Sequence, residues 1–349
     1  MSEPYAGRQI VGIDLHRRRS VLVRMTEAGE RLETIRISND PDYLREVMTR
    51  AGEAPEVVLE ACYGWYWAAD TLAELGATVH LAHPLGVKMF SYRRLKNDER
   101  DAADLADLLR MGRLPEAWIA PPATRELRGW VRHRAKLVGL RSNLKCQVHG
   151  ILANTGITVP MSDLFGASGQ RLLATADLAT ESRSRIDSLQ RMITALDFEV
   201  ELFAKLVAGR LRTHPGYQAI QQIPGVGPIL AAVFVAEIGD ITRFRRPEQL
   251  ASWAGLTPKH HESDTTVHRG RITKQGSRLV RWAAIEAVQR LPGHTRIGQV
   301  RDRVAARRGR NIGVVAAARE LTELVFYGLR DHHVHALAVH SPARTPLPA

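Results

Sequence analysis

The segment QIVGIDLH, residues 9–16, is a short apolar run that ends in a polar tip. A run of this length is typical of a strand buried in a sheet. Two more apolar segments, SVLVRMTE (20–27) and RLETIRIS (31–38), follow at hairpin spacing, with a turn at Ala28 and Gly29. These segments predict consecutive strands joined by tight turns, and they place Asp14 where the first strand ends.

Strands and helices then alternate along the chain. The pattern predicts a helix over 41–51, a buried strand EVVLEAC over 56–62, a helix over 65–75 that Gly76 ends, and a strand ATVHLAHP over 77–84. Alternation of this kind indicates an α/β layer structure.

A further helix is predicted from Asn97, which is a suitable N-cap, through DERDAADLADLLRM to Gly112. Pro121 and Pro122 then break the chain and mark a domain boundary. We therefore predict an α/β domain over residues 1–120.

Two long amphipathic helices are predicted after this boundary, over 124–153 and about 180–211, with a loop rich in Gly, Ser and Pro over 154–171. Together they indicate a helical hairpin or coiled-coil arm over residues 121–212. The polar positions of the first helix are almost all basic, so we expect it to contact nucleic acid; a plain packing element is the alternative. The candidate contact residues are Arg125, Arg128, Arg132 and Lys136.

The overall charge also favours a polyanionic partner. The 349 residues carry a formal net charge of +12, which suits nucleic acid or an anionic membrane surface, with simple solubility charge as the alternative. No apolar run reaches the roughly 18 residues that a membrane span needs, and no signal peptide is visible. Two cysteines, Cys62 and Cys146, are too few for a disulfide framework or a Cys-rich zinc site. We expect a protein of a reducing compartment with no membrane span.

Four carboxylates stand where an α/β sheet places its functional groups. Two end the apolar strands IVGID and VVLEA, and two lie three residues apart at the start of the following helix. Carboxylates that converge repel one another unless a cation intervenes, and hard oxygen ligands suit Mg²⁺ or Mn²⁺, which support phosphodiester chemistry. The order strand–Asp, strand–Glu, helical Asp pair is that of RNase H-like nucleases. The candidate ligands are Asp14, Glu60, Asp98 and Asp101.

Each of these acids also has a simpler interpretation. The helical pair would complement the helix dipole without binding anything, and Asp104 and Asp107 continue the same spacing as solvated surface charges. Asp14 alone would be an ordinary turn residue at a strand end.

The segment QQIPGVGPILAAVFVAEIGD, residues 221–240, contains an apolar helix end, a Pro-Gly-Val-Gly turn and a second apolar helix. This is the pattern of a helix-hairpin-helix, whose glycines let backbone N–H groups approach phosphate. We therefore expect Gly225 and Gly227 to contact a nucleic-acid backbone, with a tight turn that binds nothing as the alternative. The pattern predicts a mostly helical second globular unit over residues 213–335 and a disordered tail over 336–349.

A polar, basic stretch over residues 257–277 carries several hydroxyl groups. A hydroxyl among cations can attack a phosphodiester and hold it covalently. Residue types alone do not choose among these hydroxyls, and a polar phosphate-binding loop without a nucleophile is the alternative. The candidates are Ser263, Thr265, Thr266, Thr273 and Ser277.

Taken in order, these motifs resemble those of transposases of the insertion sequence 110 family, relatives of the Piv DNA invertases. The resemblance spans nearly the whole chain. Its N-terminal motifs are GIDLH, VLEACYGWYW and KNDERDAADLADLL. Its C-terminal motifs are IPGVGPILAAVFVAEIGD, FRRPEQLASWAGLTP, HES and RITKQGSRLVRWA. Two departures are conservative: Ile272-Thr273-Lys274 stands where many relatives have Ile-Ser-Lys, and Lys96-Asn97 where Lys-Thr is common.

The resemblance implies an RNase H/RuvC-like domain whose acidic tetrad binds Mg²⁺, with Mn²⁺ as a substitute. The family form Lys-x-Asp-x-x-Asp-Ala, here residues 96–102, selects Asp98 and Asp101 to join the two strand-end acids. The family's nucleophilic serine follows the Leu-Thr-Pro stretch in a Glu-Ser pair, which is Ser263 here.

It further implies a reaction and its partners. Ser263 would attack a DNA phosphodiester, strands would exchange between donor and target DNA, and a bridge RNA would select both by base pairing. A homodimer or homotetramer with composite sites, located in the bacterial cytoplasm at the nucleoid, is expected. The rivals are a hydrolytic RuvC-like junction nuclease that does not use Ser263, a non-enzymatic nucleic-acid-binding protein, and a nucleotide-dependent kinase. The kinase would need a glycine-rich nucleotide loop, which we do not find.

Overall fold

The strand predicted from QIVGIDLH lies at the centre of a sheet in the computed structural model of the chain. It is β1 (Gln9–Leu15), and all seven of its residues are buried. The structure describes residues 5, 7–90, 97–263 and 266–335. The chain divides into two compact units, which we call unit 1 (residues 1–120) and unit 2 (residues 121–349).

Unit 1 is a mixed α/β structure. After β1 its elements are β2 (Arg19–Thr26), β3 (Arg31–Ser38), α1 (Pro41–Met48), β4 (Glu56–Glu60), α2 (Trp65–Glu74), β5 (Thr78–Ala82), α3 (Pro84–Val87) and α4 (Asp98–Arg110). The strand order is β3-β2-β1-β4-β5. The pairs β1–β2 and β2–β3 are antiparallel, and the pairs β1–β4 and β4–β5 are parallel. The α/β prediction for this region is confirmed.

Alternation along β1 sends its side chains to opposite faces of the sheet. Val11 and Ile13 join the core on the side of α1 and α2, whereas Ile10 packs with Ala106 of α4 on the other side. Because helices cover both faces, the strand consists of a continuous apolar run instead of an alternating one.

Helix α4 approaches β1 very closely at Gly12. A Cβ atom on Gly12 would stand 1.9 Å from the backbone oxygen of Ala102, so no side chain fits there. Asn97 caps the helix as predicted, since its side chain accepts a hydrogen bond from the Glu99 N–H at 3.0 Å. The close packing fixes the first turn of α4 relative to the carboxyl end of β1.

Unit 2 is mostly helical, as predicted. Its elements are α5 (Pro122–Asn154), α6 (Ala167–Thr175), α7 (Thr180–Leu211), α8 (Pro215–Ile220), α9 (Pro228–Ile238), α10 (Pro247–Trp253), β6 (Pro258–Ser263), β7 (Thr266–Ile272), α11 (Arg278–Gln289), α12 (Arg296–Arg308) and α13 (Arg310–Asp331). Among the described residues, no helix combines the length and apolar character that a bilayer crossing requires. The predicted disordered tail, 336–349, lies outside the described residues.

The long helices α5 and α7 pack side by side. Arg141 of α5 forms an ion pair with Asp197 of α7 at 2.5 Å, and the His133 ring meets the Phe203 ring edge-on with centroids 4.6 Å apart. A cluster of buried apolar residues joins the two helices beyond these contacts. It includes Val148, Ile151, Leu152, Leu164, Leu173, Ile186, Leu189 and Ile193.

Two loop predictions in unit 2 are wrong. The end of the stretch 154–171 lies in α6, because Leu173 is drawn into the cluster between α5 and α7 and the segment folds around it. The polar stretch 257–277 is mainly the antiparallel hairpin β6–β7. Its charged and histidine side chains conceal the alternation of a strand, although β-branched Val267 and Ile272 favour one.

Candidate functional site

Asp14 and Glu60 end neighbouring parallel strands. The register of β1 and β4 sets Gly12 beside Val58, and the two acids follow two residues later on each strand. Gly12 faces α4, and Val58 packs with Leu105 of that helix. Because side chains alternate along a strand, Asp14 and Glu60 face the α4 side of the sheet as well.

An imidazole lies between the carboxylates of β1 and α4. The Nε2 atom of His16 is 3.0 Å from Oδ2 of Asp14 and 3.3 Å from Oδ1 of Asp98. One potential ligand atom from each of the three side chains lies within 4.8 Å of the other two. Among the described residues, this trio forms a group that could hold a metal ion, and we call it the Asp-His-Asp group.

The prediction from sequence contains two members of the Asp-His-Asp group but lacks His16. The available signal is spacing, since His16 follows Asp14 by two residues and a strand directs alternate side chains to one face. The contact with Asp98 has no local signal, because it depends on how closely α4 packs on β1.

Glu60 and Asp101 lie outside the Asp-His-Asp group. Glu60 nevertheless shares an electrostatic environment with Asp14, as the Cys62 thiol shows. Burial raises the pKa of Cys62, and the negative charges of Glu60 and Asp14 raise this pKa further. The thiol donates a hydrogen bond to the Leu15 carbonyl at 3.3 Å, which holds it at the carboxyl end of β1.

The aspartates along α4 differ in their surroundings. Asp101 is half-buried one turn after Asp98, whereas Asp104 is exposed. Asp107 forms an ion pair with Arg110, with Oδ1 and Nη2 2.7 Å apart. Asp101 therefore stays the predicted fourth member of the acidic tetrad.

The residues of this site fit a divalent cation. Carboxylate oxygens suit Mg²⁺ and Mn²⁺, and an imidazole nitrogen is a ligand for transition metals. Donor atoms bound to one ion at about 2.1 Å lie roughly 3–4 Å apart, and the measured separations from Nε2 of His16 fall in that range. The Asp14 side chain is 12% exposed, so little water competes for its charge.

Three of the four basic residues predicted to contact nucleic acid are engaged inside unit 2. Arg125 is buried. Arg128 donates to the carbonyl oxygens of Ala236 and Glu237 at 2.8 and 2.9 Å, which satisfies the carboxyl end of α9. Lys136 is exposed.

Arg132 forms a two-pronged ion pair with the buried carboxylate of Glu237, at 2.7 and 3.0 Å. Its own side chain stays 51% exposed, while that of Glu237 is 4% exposed. The Ser277 hydroxyl donates to the same carboxylate at 3.0 Å. These arginines have packing roles in the structure, and their contact with nucleic acid stays a prediction.

The two glycines of the Pro-Gly-Val-Gly turn have different surroundings. Gly225 adopts a φ of +86°, and a Cβ atom there would lie 2.2 Å from the Ala287 carbonyl oxygen of α11. Its lack of a side chain therefore serves packing. Gly227 precedes α9 directly and has open space around it, which suits the approach of a phosphate to the amino end of that helix.

Ser263 is the last residue of β6, and its backbone pairs with Thr266 of β7 across the turn. The predicted nucleophile thus sits at the tip of a two-stranded hairpin. Ser277 instead caps α11 by accepting a hydrogen bond from the Val280 N–H at 3.3 Å. Thr265, another hydroxyl candidate, lies outside the described residues.

Comparison with known proteins adds an independent observation. A family model of the IS110 DEDD type, described as "Transposase", matches residues 11–157. A second model, described as "Transposase IS116/IS110/IS902 family", matches residues 217–304.

Three relatives extend these matches. The chain is 27% identical to the "Transposase for insertion sequence element IS1111A" of Coxiella burnetii, over 82% of this chain and 79% of that protein. It is 27% identical to a "Probable family 20 transposase" of Pseudomonas aeruginosa, over 67% and 70%. It is 24% identical to an uncharacterized protein of insertion element IS116 in Streptomyces clavuligerus, over 92% and 94%.

Proposed function

We propose a division of chemical roles between the two units of this chain, which is a DNA-cutting transposase with both transposase domains of the IS110/IS116/IS902 family. In this proposal the chain moves an insertion sequence by cutting and rejoining DNA strands. Unit 2 supplies a serine nucleophile, and unit 1 supplies a metal-binding acidic tetrad. The observation that supports this most directly is the convergence of Asp14 and Asp98 on one point from β1 and α4.

The DEDD-type match and the acidic group together indicate use of a divalent metal. We take Mg²⁺ as the ion and Asp14, Glu60, Asp98 and Asp101 as its ligands. When bound there, such an ion supplies Lewis-acid stabilisation of phosphate charge. In this proposal the chain contributes one carboxylate from the end of each of two neighbouring parallel strands, β1 and β4, and two more from α4.

Ser263 acts as the nucleophile in the proposed reaction. Its Oγ forms a bond to the phosphorus of a DNA phosphodiester as the bond from phosphorus to the 3′ oxygen breaks. The hydroxyl proton of the serine ends on that oxygen, which leaves a 3′-hydroxyl and a phosphoserine link. Attack by a 3′-hydroxyl from a second DNA reverses these steps and restores the serine.

The finer features of the fold are part of the proposal. The strand order of unit 1 and its helix α4 support an RNase H/RuvC-like domain. The packed pair α5 and α7 supports a coiled-coil arm, and the α8–α9 turn with open Gly227 supports a helix-hairpin-helix.

The proposed partners are donor and target DNA, a bridge RNA and further copies of the chain. The net charge of +12 supports binding to phosphate backbones. If a bridge RNA pairs with the DNA, sequence choice belongs to base pairing, and the protein recognises shape and backbone.

The experiment that tests this proposal replaces Ser263 with Ala. The full-length protein is incubated with Mg²⁺, RNA from the element and DNA that carries both element ends, and covalent protein–DNA adducts are trapped in denaturing gels. The wild type is expected to give an adduct and rejoined strands, and S263A to give neither. The control is S252A, on an exposed serine of α10, which should behave as the wild type. Strand cleavage by S263A without an adduct would identify a hydrolytic nuclease and overturn the serine mechanism.

A further inference from the structure

Hydrogen bonds to two other segments hold the backbone of His16 in place. Its N–H donates to the Arg19 carbonyl at 3.2 Å, which closes the turn between β1 and β2. The Asn39 side chain donates to the His16 carbonyl at 2.6 Å and accepts a hydrogen bond from the buried Ser20 hydroxyl at 2.7 Å. These bonds fix the backbone of His16 at the carboxyl end of β1.

The Nε2 atom of His16 lies 3.0 Å from the Asp14 carboxylate and 3.3 Å from the Asp98 carboxylate. The side chain is 36% exposed, but its Nε2 atom is buried and makes no hydrogen bond among the described residues. A histidine held only by hydrogen bonding would direct Nε2 at one acceptor, whereas here the buried nitrogen lies near acids from two elements and hydrogen-bonds to neither.

We propose that His16 is a nitrogen ligand of the divalent metal in unit 1, through Nε2, and that it shifts the preference of the site from Mg²⁺ toward Mn²⁺. This inference rests on the proposed function only for the presence of an ion at the acidic tetrad. An imidazole ligand gains more from transition metals than from Mg²⁺, which binds oxygen and retains its waters. A site of four carboxylates without the imidazole would show a smaller preference.

A second histidine of unit 1 offers a matched comparison. His80 also lies between two acids, with Nδ1 3.2 Å from Oε1 of Glu116 and Nε2 3.8 Å from Oε1 of Glu56. It uses different nitrogens for the two acids, so no single atom serves both. His80 therefore controls for a histidine that merely neighbours carboxylates.

The test measures binding of the metal alone to the full-length protein, without DNA. Mn²⁺ affinity is obtained from the free-ion signal in electron paramagnetic resonance, and Mg²⁺ affinity from competition with Mn²⁺. H16Q is expected to lower Mn²⁺ affinity by about tenfold or more and Mg²⁺ affinity by less. H80Q should leave both affinities unchanged.

Pulsed resonance of bound Mn²⁺ gives a second readout. The wild type is expected to show coupling to a histidine nitrogen, which changes from the ¹⁴N to the ¹⁵N pattern when histidine is labelled and disappears in H16Q. Tight Mn²⁺ binding that D14N abolishes, but without nitrogen coupling, would overturn the role of His16 and leave the acidic tetrad standing. Absence of Mn²⁺ and Mg²⁺ binding in the wild type would overturn the metal site and His16 together.

Discussion

Gly12 controls how closely two elements of unit 1 approach each other. Replacing it with Ala would put a Cβ 1.9 Å from the Ala102 carbonyl oxygen, and backbone atoms on both sides leave nothing flexible to yield. We expect G12A to lower the free energy of unfolding by about 1–3 kcal/mol. Mn²⁺ affinity should fall as well, because α4 must move and carry Asp98 with it.

The measurement is urea unfolding followed by circular dichroism, together with Mn²⁺ binding. The control is G129A, at an exposed glycine of α5 where no atom lies within 4 Å of the added Cβ. It should raise stability by about 0.5–1 kcal/mol, as Ala replaces Gly in a helix. Equal effects of the two substitutions would contradict the role given to Gly12.

The residues of the candidate site differ in how far the sequence could reveal them. Asp14 was predictable because a carboxylate after an apolar strand is a local pattern, whereas the choice of Asp98 among the aspartates of α4 depended on the family form Lys-x-Asp-x-x-Asp-Ala. Neither pattern reveals the distance between Asp14 and Asp98. That distance depends on Gly12 and on which face of α4 packs against β1. His16 therefore stayed hidden, although its spacing from Asp14 agrees with the strand period.

Among the elements, α5 shows most clearly how sequence pattern and structure differ. Its basic residues predict a nucleic-acid face, and a periodic pattern identifies the helix correctly. Arg125, Arg128 and Arg132 instead lie against unit 2, because α9 ends beside α5 and leaves carbonyl oxygens and a buried acid to satisfy. The contacts that an arginine side chain makes depend on residues of other elements, which the sequence of its own helix does not reveal.

This division of roles along α5 gives a prediction at the scale of the element. R132A should lower the free energy of unfolding by about 2–3 kcal/mol, because it leaves the buried Glu237 carboxylate without its guanidinium. K136A should leave stability unchanged but weaken nucleic-acid binding and reduce the slope of log affinity against log salt by about 1.

The measurements are urea unfolding and fluorescence anisotropy of labelled DNA and RNA over a range of salt concentrations. K205A serves as the control, since Lys205 is an exposed lysine of α7 that pairs with Glu201 at 3.7 Å. If K136A leaves the slope of log affinity against log salt unchanged, Lys136 does not contact the nucleic acid.

At the scale of the whole molecule, the proposed chemistry divides between two units. The acids belong to unit 1 and Ser263 to unit 2. If the acids and the serine act in one reaction step, then removing the second group does not lower the rate of strand transfer further once the first group is gone. We therefore expect the double variant D14N/S263A to retain the same residual strand transfer as the weaker single variant.

The measurement is strand transfer between DNA substrates that carry the element ends. Combining D14N with K136A provides the comparison, because substitutions that act independently should multiply their effects. A double variant D14N/S263A that is much weaker than either single variant would show that the acids and the serine act in separate steps.

The two units also differ in how much of their fold was predictable. The α/β order of unit 1 follows from local patterns, since each strand is a short apolar run and Asn97 and Gly112 bound its last helix. In unit 2 the long helices were predictable, but the β6–β7 hairpin was not. Its strands carry histidine and arginine side chains and have no apolar face that would signal burial.

The anchorage of α5 on α9 has a mechanical consequence. A helix of 33 residues is about 50 Å long, so a nucleic acid held at its far end would exert a large torque on its base. Arg128 and Arg132 would resist such a torque through their bonds to the backbone and carboxylate of α9. Because Glu237 also accepts a hydrogen bond from Ser277 at the start of α11, a force on the base of α5 would be shared with the segment that directly follows the β6–β7 hairpin.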